Sequence, residues 1–291
     1  MANAAVVVDP QAPGRLVIRP VSDPVPDRDE AIVRVHAISL NRGEVRRSGM
    51  APAGWRPGWD LAGIVERAAA DGTGPGVGKR VVGFLPEGAW AQRVVVPSNA
   101  LAELPDKVTF SQAATFPVAG LTALHALGKG GPLLSKRVLV TGATGGVGDF
   151  AVQLARLAGA HVTASVRRAD QAPTVRQLGA HEVVVGDEIA ATPKYDLIIE
   201  SVGGKTLGAA LSALERGARA SPWAFRPRPR SPSTRATSSS PAARRSTAST
   251  SSRSSATSRP PSVYGASRSW SLPASSRPTS AWSGRGRRSG R

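Results

Sequence analysis

The sequence predicts an α/β protein in which a β-rich N-terminal region is followed by an incomplete, doubly wound parallel sheet and then by a basic tail. Three observations lead to this prediction. Short strand patterns separated by Gly and Pro fill residues 1 to about 125. The glycines Gly142, Gly145 and Gly148 then stand between an apolar run and a helical pattern, and strand and helix patterns alternate after them. From Gly217 onward the composition changes abruptly to Ser, Arg, Pro, Ala and Thr.

The glycine triplet carries the most specific chemical signal. Residues 137–141 are an apolar run typical of a buried parallel strand, and apolar residues recur at helical spacing from Phe150 onward. Glycines between a strand and a helix let the backbone approach a pyrophosphate, whose charge the N–H groups and dipole of the helix N-terminus stabilise. We therefore predict a dinucleotide ligand. A glycine triplet without this context is also typical of an ordinary tight turn.

The end of the second strand of this sheet, predicted at residues 161–166, indicates which dinucleotide is bound. Proteins that select NAD place Asp or Glu about 20 residues after the glycines, to bind the ribose 2′-OH. This chain has Ser165, Val166, Arg167 and Arg168 there. A hydroxyl and two guanidinium groups suit a 2′-phosphate, so we predict NADP(H) as the cofactor. The alternative is that the arginine pair belongs to a solvated basic loop.

The remaining patterns place the other elements. In the N-terminal region, apolar periodicity predicts strands at residues 4–8, 15–19, 31–39, 61–67, 80–84 and 89–96. Residues 111–127 predict a helix with Ser111 as its N-cap and a break near Pro117. In the parallel sheet, we predict a helix at residues 170–178 and further strands at residues 182–185 and 195–201.

Length and composition limit the class of protein. The 291 residues are sufficient for two domains, and no run of about 18 apolar residues indicates a membrane span or a membrane partner. The N-terminal residues lack a secretory pattern, so we predict a cytoplasmic protein. The absence of cysteine excludes disulfides, thiolate metal sites and a cysteine nucleophile.

The net charge of +18 by itself suggests nucleic-acid binding, but the charge is distributed unevenly along the chain. Residues from Gly217 onward contain 15 arginines, no lysine and no acidic residue. Residues 1–216 contain 23 basic residues and all 20 acidic ones, which leaves a net charge of +3. The charge therefore belongs to the tail, whose aromatic residues follow no repeating motif, and we predict no specific nucleic-acid partner.

Several motifs follow one another in the order found in a known family. They are NRGEV at 41–45, GWDLAGIV at 58–65, VGKRVVGF at 77–84, GAWAQRVVVP at 88–97, GATGGVG at 142–148 and YDLIIESVGG at 195–204. On these motifs, residues 4 to about 215 resemble the zinc-independent quinone oxidoreductase branch of the medium-chain dehydrogenase/reductase superfamily. The resemblance implies a GroES-like β domain at residues 1–126 and an incomplete Rossmann-type NADPH-binding domain at residues 127–216. Cofactor and substrate would meet in the cleft between them.

The resemblance also implies roles for particular residues. Asn41 and Thr122 would lie near the nicotinamide as candidate catalytic residues, although Asn is equally suited to capping a local turn. The implied cofactor-binding residues are Gly142, Gly145, Gly146, Val147, Gly148, Ser165, Arg167, Arg168, Ser201, Val202 and Gly203. We expect Tyr195 to be structural and the product's proton to come from water.

Two positions bear on the reaction. Zinc-dependent relatives have a Cys ligand where this chain has Asn41, and a His-Glu pair where it has Trp59 and Asp60. None of the four histidines has a spaced partner, so we predict no metal site. The resemblance implies hydride transfer from NADPH to a quinone or an α,β-unsaturated carbonyl (enone), both small-molecule partners. The alternatives are an inactive or truncated NADPH-binding protein and a nucleic-acid binder acting through its tail.

The resemblance stops near Arg216. The composition of residues 217–291 cannot support a packed core and is typical of disorder. Acidic residues and lysine disappear together in the middle of a predicted sheet, so we hypothesise that the tail is the product of a shifted reading frame in a GC-rich gene. An alternative frame near codon 216 should then encode a Gly-rich turn, an apolar strand and acidic residues. A homodimer through late strands, common among relatives, would require the strands that we expect to be missing.

Overall fold

The computed structural model describes residues 2–186, 189 and 194–222. The predictions for the part of the tail at residues 223–291, namely disorder and a shifted reading frame, lie outside the described residues. The described chain first forms antiparallel β-structure and then a parallel sheet covered by helices. This order of regions confirms the predicted α/β class.

Antiparallel pairing organises the first region. Its strands are β1 (Asn3–Val8), β2 (Leu16–Val21), β3 (Glu30–Ile38), β4 (Asp60–Arg67), β5 (Arg80–Phe84), β6 (Arg93–Pro97) and β7 (Leu101–Glu103), and helix α1 (Arg42–Ser48) follows β3. Strands β1 and β2 form a hairpin, whereas the others form a sheet of order β6-β3-β4-β5-β7. Alternate residues of the sheet, including Val33, Leu61 and Val81, face a common core. Helix α1 was not predicted, and β6 begins at Arg93, four residues later than expected.

Three helical segments join the two regions: α2 (Phe110–Ala113), a π-helical segment (Phe116–Gly120) and α3 (Leu121–Gly128). The prediction of Ser111 as the N-cap is wrong. The N-cap is Thr109, two residues before Ser111, and it forms a capping box with Gln112. Thr109 Oγ1 accepts from Gln112 N at 3.2 Å, and Gln112 Oε1 accepts from Thr109 N at 3.0 Å. The expected break near Pro117 is present as the π-helical segment. The predicted domain boundary at residue 126 falls inside α3.

The second region alternates strands and helices. Its elements are β8 (Arg137–Val140), α4 (Gly146–Leu157), β9 (His161–Val166), α5 (Ala172–Gln177), β10 (Glu182–Val185), β11 (Tyr195–Glu200), α6 (Gly204–Ser212) and β12 (Leu214–Pro222). The strand order is β10-β9-β8-β11-β12, and every neighbouring pair is parallel. A 3₁₀ turn (Ala169–Gln171) precedes α5, so the helix predicted at residues 170–178 is divided. Tyr195 is fully buried in this region, as expected of a structural residue.

Strand β12 corrects the predicted end of the parallel sheet. It extends to Pro222 and pairs with β11 from Tyr195↔Leu214 to Glu200↔Pro222, with one register shift. The fifth strand, expected to be missing beyond residue 216, is therefore present. Ladder hydrogen bonds join backbone groups, so the strand forms even with polar side chains such as Arg219 and Ser221. Among the described strands of this sheet, β12 lies at one edge.

Candidate functional site

The backbone of the glycine loop is held close to the start of α4. Gly142 adopts a left-handed φ of 58°, and Gly145 is the N-cap of α4. A β-carbon at Gly148 would lie 2.3 Å from the Gly142 carbonyl oxygen and 2.7 Å from the Ala143 Cα. Only glycine therefore fits at position 148. The first N–H groups of a helix have no partner within it, so the start of α4 at Gly146 is suited to bind an anion.

The end of β11 lies against this loop. Ser201 N donates to Thr141 Oγ1 at 3.0 Å, and Ser201 Oγ donates to the Thr141 carbonyl at 2.9 Å. Glu200, which is fully buried, accepts through one oxygen from Thr141 Oγ1, Val202 N and Gly203 N at 2.8 to 3.1 Å. The structure thus brings residues 201–203 beside the glycine loop. The organising role of Glu200 was not predicted from the sequence. The available signal was an acidic residue at the end of a strand, shortly before a Gly-Gly pair.

The loop after β9 is organised by Gln171. Its side-chain oxygen accepts from Arg167 N at 3.1 Å and from Arg168 N at 3.2 Å, and its amide donates to Thr144 Oγ1 at 3.3 Å. The Arg168 guanidinium binds Asp170 with distances of 2.9 to 3.3 Å, and this pairing lowers the pKa of Asp170. Ser165 is buried in β9, and its carbonyl accepts from Ala143 N in the glycine loop at 3.2 Å. Gln171 thus connects the two arginines with the glycine loop. This connection was not predicted from the sequence.

A second cluster lies at the start of α1 and combines one amide with two buried carboxylates. Glu44 Oε2 accepts from Asn41 N at 2.7 Å and from Asn41 Nδ2 at 2.9 Å, whereas Glu44 Oε1 accepts from Trp59 N at 2.6 Å. Asp60 Oδ2 accepts from Asn41 Nδ2 at 2.7 Å, and Asp60 Oδ1 accepts from Val118 N at 2.9 Å. Both amide hydrogens of Asn41 are therefore used. Asn41 and Glu44 also form a capping box, in which the Asn41 side chain faces the Glu44 backbone N–H, and Asn41 itself is only partly buried.

Burial governs the electrostatics of this amide-carboxylate cluster. Burial raises the pKa of Asp60 from 3.8 to about 6, although the hydrogen bonds from Asn41 and Val118 act in the opposite direction. Burial likewise raises the pKa of Glu44. Asn41 occupies the N-cap position of α1, as the capping alternative predicted, but its side-chain amide binds the two carboxylates.

The segment Phe116–Gly120 connects this cluster with the glycine loop. A β-carbon on Gly146 would lie 3.5 Å from Ala119 Cβ, so the π-helical segment packs directly on the start of α4. Phe116 and Phe150 make an edge-to-face contact, with ring centroids 5.7 Å apart. Thr122 follows in the first turn of α3 and is buried. The two clusters are therefore joined through one packed segment.

Other candidate features lie apart from these clusters. His36 stacks on Phe110, and His161 stacks on His181, on other surfaces of the described chain. Within residues 2–186, 189 and 194–222, no group of three or more His, Cys, Asp or Glu side chains could hold a metal ion. The described helices include none that is long and apolar enough to cross a membrane. An open cavity of about 810 Å³ near Arg56 and Arg93 contains no residue of either cluster.

Comparison with known proteins is consistent with this arrangement. Residues 27–106 match the family described as alcohol dehydrogenase GroES-like domain, and residues 146–263 match the family described as zinc-binding dehydrogenase. The second match extends past residue 216, where the resemblance was expected to stop. Two regions, an antiparallel β domain and a dinucleotide-type parallel sheet, thus have separate counterparts among known families.

Individual relatives narrow the class. The chain is 33% identical over 221 residues to mouse NAD(P)H oxidoreductase RTN4IP1, mitochondrial, covering 65% of this chain and 56% of that protein. It is 33% identical to the trans-enoyl reductase tazE of Aspergillus terreus, covering 62% of this chain and 67% of that protein. The solved quinone oxidoreductase from Coxiella burnetii superposes with a TM-score of 0.69 at 25% identity, covering 76% of this chain and 75% of that one.

The chain belongs to the medium-chain dehydrogenase/reductase superfamily, in its quinone oxidoreductase branch. It spans a little over half the length of the first RTN4IP1 relatives. The donor set at Asn41, Trp59 and Asp60 differs from that of a zinc site, because an indole is not a ligand and the amide hydrogens of Asn41 are donated to carboxylates.

Proposed function

We propose that this chain is a zinc-independent oxidoreductase that transfers a hydride from NADPH to a quinone or another α,β-unsaturated carbonyl. The observation that carries the proposal is the pairing of two features. One is a glycine loop whose residues 144–146 are exposed, and the other is the cluster at Asn41, which is built from an amide and two carboxylates. When bound, NADPH would supply the hydride. The protein would supply binding, orientation and the exclusion of water.

The glycine loop and its neighbours would hold the cofactor. The N–H groups of Gly146 and Val147, at the first turn of α4, are suited to the pyrophosphate. Residues 201–203, which Glu200 holds beside the loop, are suited to the nicotinamide ribose. Ser165, which is buried in β9 and bonded through its carbonyl to Ala143 N, is assigned to the same site. These assignments place the cofactor-binding residues implied by the family resemblance on specific elements of this chain.

The preference for NADPH over NADH is assigned to Arg167. Arg168 is engaged by Asp170, whereas the guanidinium of Arg167 is exposed and has no hydrogen bond or ion pair with the described residues. A 2′-phosphate held by one guanidinium gains a charge-assisted contact of about 1.5–3 kcal/mol. Gln171 supports this role by holding the Arg167 backbone toward Thr144.

The amide-carboxylate cluster supports the proposed class of acceptor. Without a Lewis acid, hydride transfer requires an acceptor that is already electron-poor, such as a quinone or enone. Asn41 Oδ1 has two lone pairs, so beside its capping-box contact it would accept from and orient an N–H or O–H group. The proton for the product would come from water. Thr122, four residues after Val118, is assigned to the same wall of the cleft.

The full chain, purified with a chelator, provides the test. We expect it to consume NADPH with at least one member of a panel of quinones and enones, and elemental analysis to find far less than one zinc per chain. Stoichiometric zinc required for activity would refute zinc independence. Binding of NADPH without turnover of any acceptor would favour the alternative of an inactive cofactor-binding protein.

Location and partners are part of the same proposal. We assign the protein to the cytoplasm, as the sequence predicts, although RTN4IP1 relatives are named as mitochondrial proteins. Cell fractionation tests this assignment. Partners are restricted to the small-molecule acceptor. A nucleic-acid role for the arginine-rich tail would instead appear as steeply salt-dependent binding that is lost on removal of residues 223–291, a truncation that keeps β12.

A further inference from the structure

We infer that Asp60 is a positioning residue that fixes the Asn41 amide relative to α4, the helix assigned to the cofactor pyrophosphate. It does so by binding Asn41 with one carboxylate oxygen and the segment Phe116–Gly120 with the other. The inference rests on the proposed function, because its consequence is the distance between the acceptor site and the cofactor. It adds a role for a residue that the cofactor-binding set does not contain.

The two oxygens of Asp60 serve two different parts of the molecule. Oδ2 accepts from Asn41 Nδ2 at 2.7 Å, and Oδ1 accepts from Val118 N at 2.9 Å. The side chain is fully buried, so water does not compete for either oxygen. Hydrogen bonds to a charged acceptor in such an environment are strong and directional. Asp60 therefore couples the position of Asn41 with that of the π-helical segment.

The π-helical segment transmits this position to the cofactor site. Ala119, the neighbour of Val118, packs against Gly146 at the start of α4, and Phe116 packs against Phe150 one turn later in that helix. The Asn41 amide is thus linked to the assigned pyrophosphate site through the Asp60 side chain and then through the packing of the π-helical segment on α4. A hydride donor and acceptor lose rate steeply when they are displaced by about 1 Å.

The change Asp60→Asn tests the coupling at nearly constant volume. An amide offers one acceptor oxygen, and its NH₂ would face one of the two donors, so either the Asn41 or the Val118 bond is lost. We expect kcat to fall roughly tenfold or more, while the KM for NADPH stays within about twofold, because the phosphate contacts are unchanged.

A matched control separates positioning from loss of stability. Asn3, also buried, donates to the Arg93 carbonyl at 2.9 Å and accepts from Arg93 N at 3.0 Å, away from both clusters. The change Asn3→Asp likewise breaks one of two bonds between distant segments. We expect a comparable loss of stability with kcat within about twofold of the parent.

A double-mutant cycle completes the kinetic test. If Asp60 acts through Asn41, adding Asp60→Asn to Asn41→Ala lowers kcat no further. Additive losses, or an equal loss of kcat in Asn3→Asp, would overturn the inference. A parent chain that turns over no acceptor would reject the proposed function instead.

Hydrogen exchange provides a readout that does not require turnover. The Val118 amide, bonded to Asp60 Oδ1, should be protected in the parent and exchange roughly tenfold faster or more in Asp60→Asn. It should be unchanged in Asn3→Asp. Equal protection in Asp60→Asn and the parent, together with an unchanged kcat where turnover is measurable, would overturn the role of Asp60.

Discussion

The glycine loop and the amide-carboxylate cluster are built in opposite ways. The loop takes its shape from backbone contacts within one short stretch, in which Gly148 must lack a side chain because the Gly142 carbonyl would be 2.3 Å from its β-carbon. The cluster is assembled from side chains at Asn41, Glu44 and Asp60 and from a backbone N–H at Val118. The first site is defined by excluded volume, the second by hydrogen bonds.

This difference predicts unequal tolerance to substitution. Backbone atoms that meet an added β-carbon cannot move without displacing a helix, so one added methyl group in the loop should cause a large loss of stability and of binding. A hydrogen-bonded side-chain cluster can lose one bond and keep its packing. A substitution there should therefore displace the side chains while lowering the free energy of unfolding only modestly. Four substitutions, in decreasing order of predicted consequence, test that contrast.

The change Gly148→Ala should cause the largest loss. Its β-carbon would overlap the backbone of Gly142 and Ala143, so we expect destabilisation of about 3 kcal/mol or more and at least roughly 100-fold weaker NADPH binding. Denaturant unfolding and fluorescence titration measure the two effects. The matched control is Gly208→Ala in α6, where no described residue outside the local helix backbone comes within 4 Å of the added carbon. Helix propensity should there increase stability by up to about 1 kcal/mol. Similar behaviour of the two variants would contradict the excluded-volume account.

The change Arg167→Ala should lower the preference for NADPH over NADH roughly tenfold or more, by removing a contact with the 2′-phosphate. The control Arg168→Ala should have a much smaller effect, because that guanidinium is engaged by Asp170. Dissociation constants for both cofactors provide the measurement. An equal change in the two variants, or no preference in the parent, would disprove the assignment.

The change Asp60→Asn should flatten the pH dependence of unfolding between about pH 4 and about pH 6. Burial raises the pKa of Asp60 from 3.8 to about 6, so the folded state retains a proton that the unfolded state has lost. The resulting stability is fully present below about pH 4 and is lost as the pH rises through about 6. Its magnitude is about 1–3 kcal/mol. Unfolding free energies at several pH values measure it, and parallel curves for parent and variant would exclude this contribution.

The change Gly43→Ala should have the smallest effect. The added carbon would lie 2.6 Å from Trp59 Cη2, at the far end of the indole, so the ring can tilt. The cost of this movement should be offset by helix propensity in α1, which leaves a net change below about 1 kcal/mol. Thermal unfolding and the tryptophan emission maximum report the change. A loss as large as that of Gly148→Ala would remove the distinction between the two regions.

Elements that depend on local pattern were predicted well. The strands at residues 80–84, 161–166 and 182–185 have the predicted bounds, and the glycine loop lies between β8 and α4 as expected. The prediction of Ser111 as an N-cap was wrong, although the Thr109–Gln112 capping box that replaces it is also a local signal. The fifth parallel strand was missed because its residues carry no apolar pattern, whereas its pairing uses backbone groups.

The amide-carboxylate cluster could not be predicted to the same degree. The sequence separation is 19 residues between Asn41 and Asp60 and 58 residues between Asp60 and Val118. The sequence indicated Asn41 as a candidate catalytic or turn-capping residue, and Asp60 only as a position that differs from a zinc site. The Asp60 bond to the π-helical segment depends on how the β domain packs against α4, and residue type alone contains no information on that packing.

The shape of the glycine loop can thus be derived from the amino-acid order, because a strand, three glycines and a helix start within one stretch specify a backbone surface suited to a phosphate. The absence of cysteine and the identity of residues 41 and 59 likewise follow from the chain itself. Three-dimensional packing was needed to identify which of the two guanidinium groups has no partner among the described residues, which carboxylates the Asn41 amide binds and which residue joins the two sites. These properties depend on hydrogen-bond partners brought together by folding, and partners distant in sequence leave no periodic pattern to read.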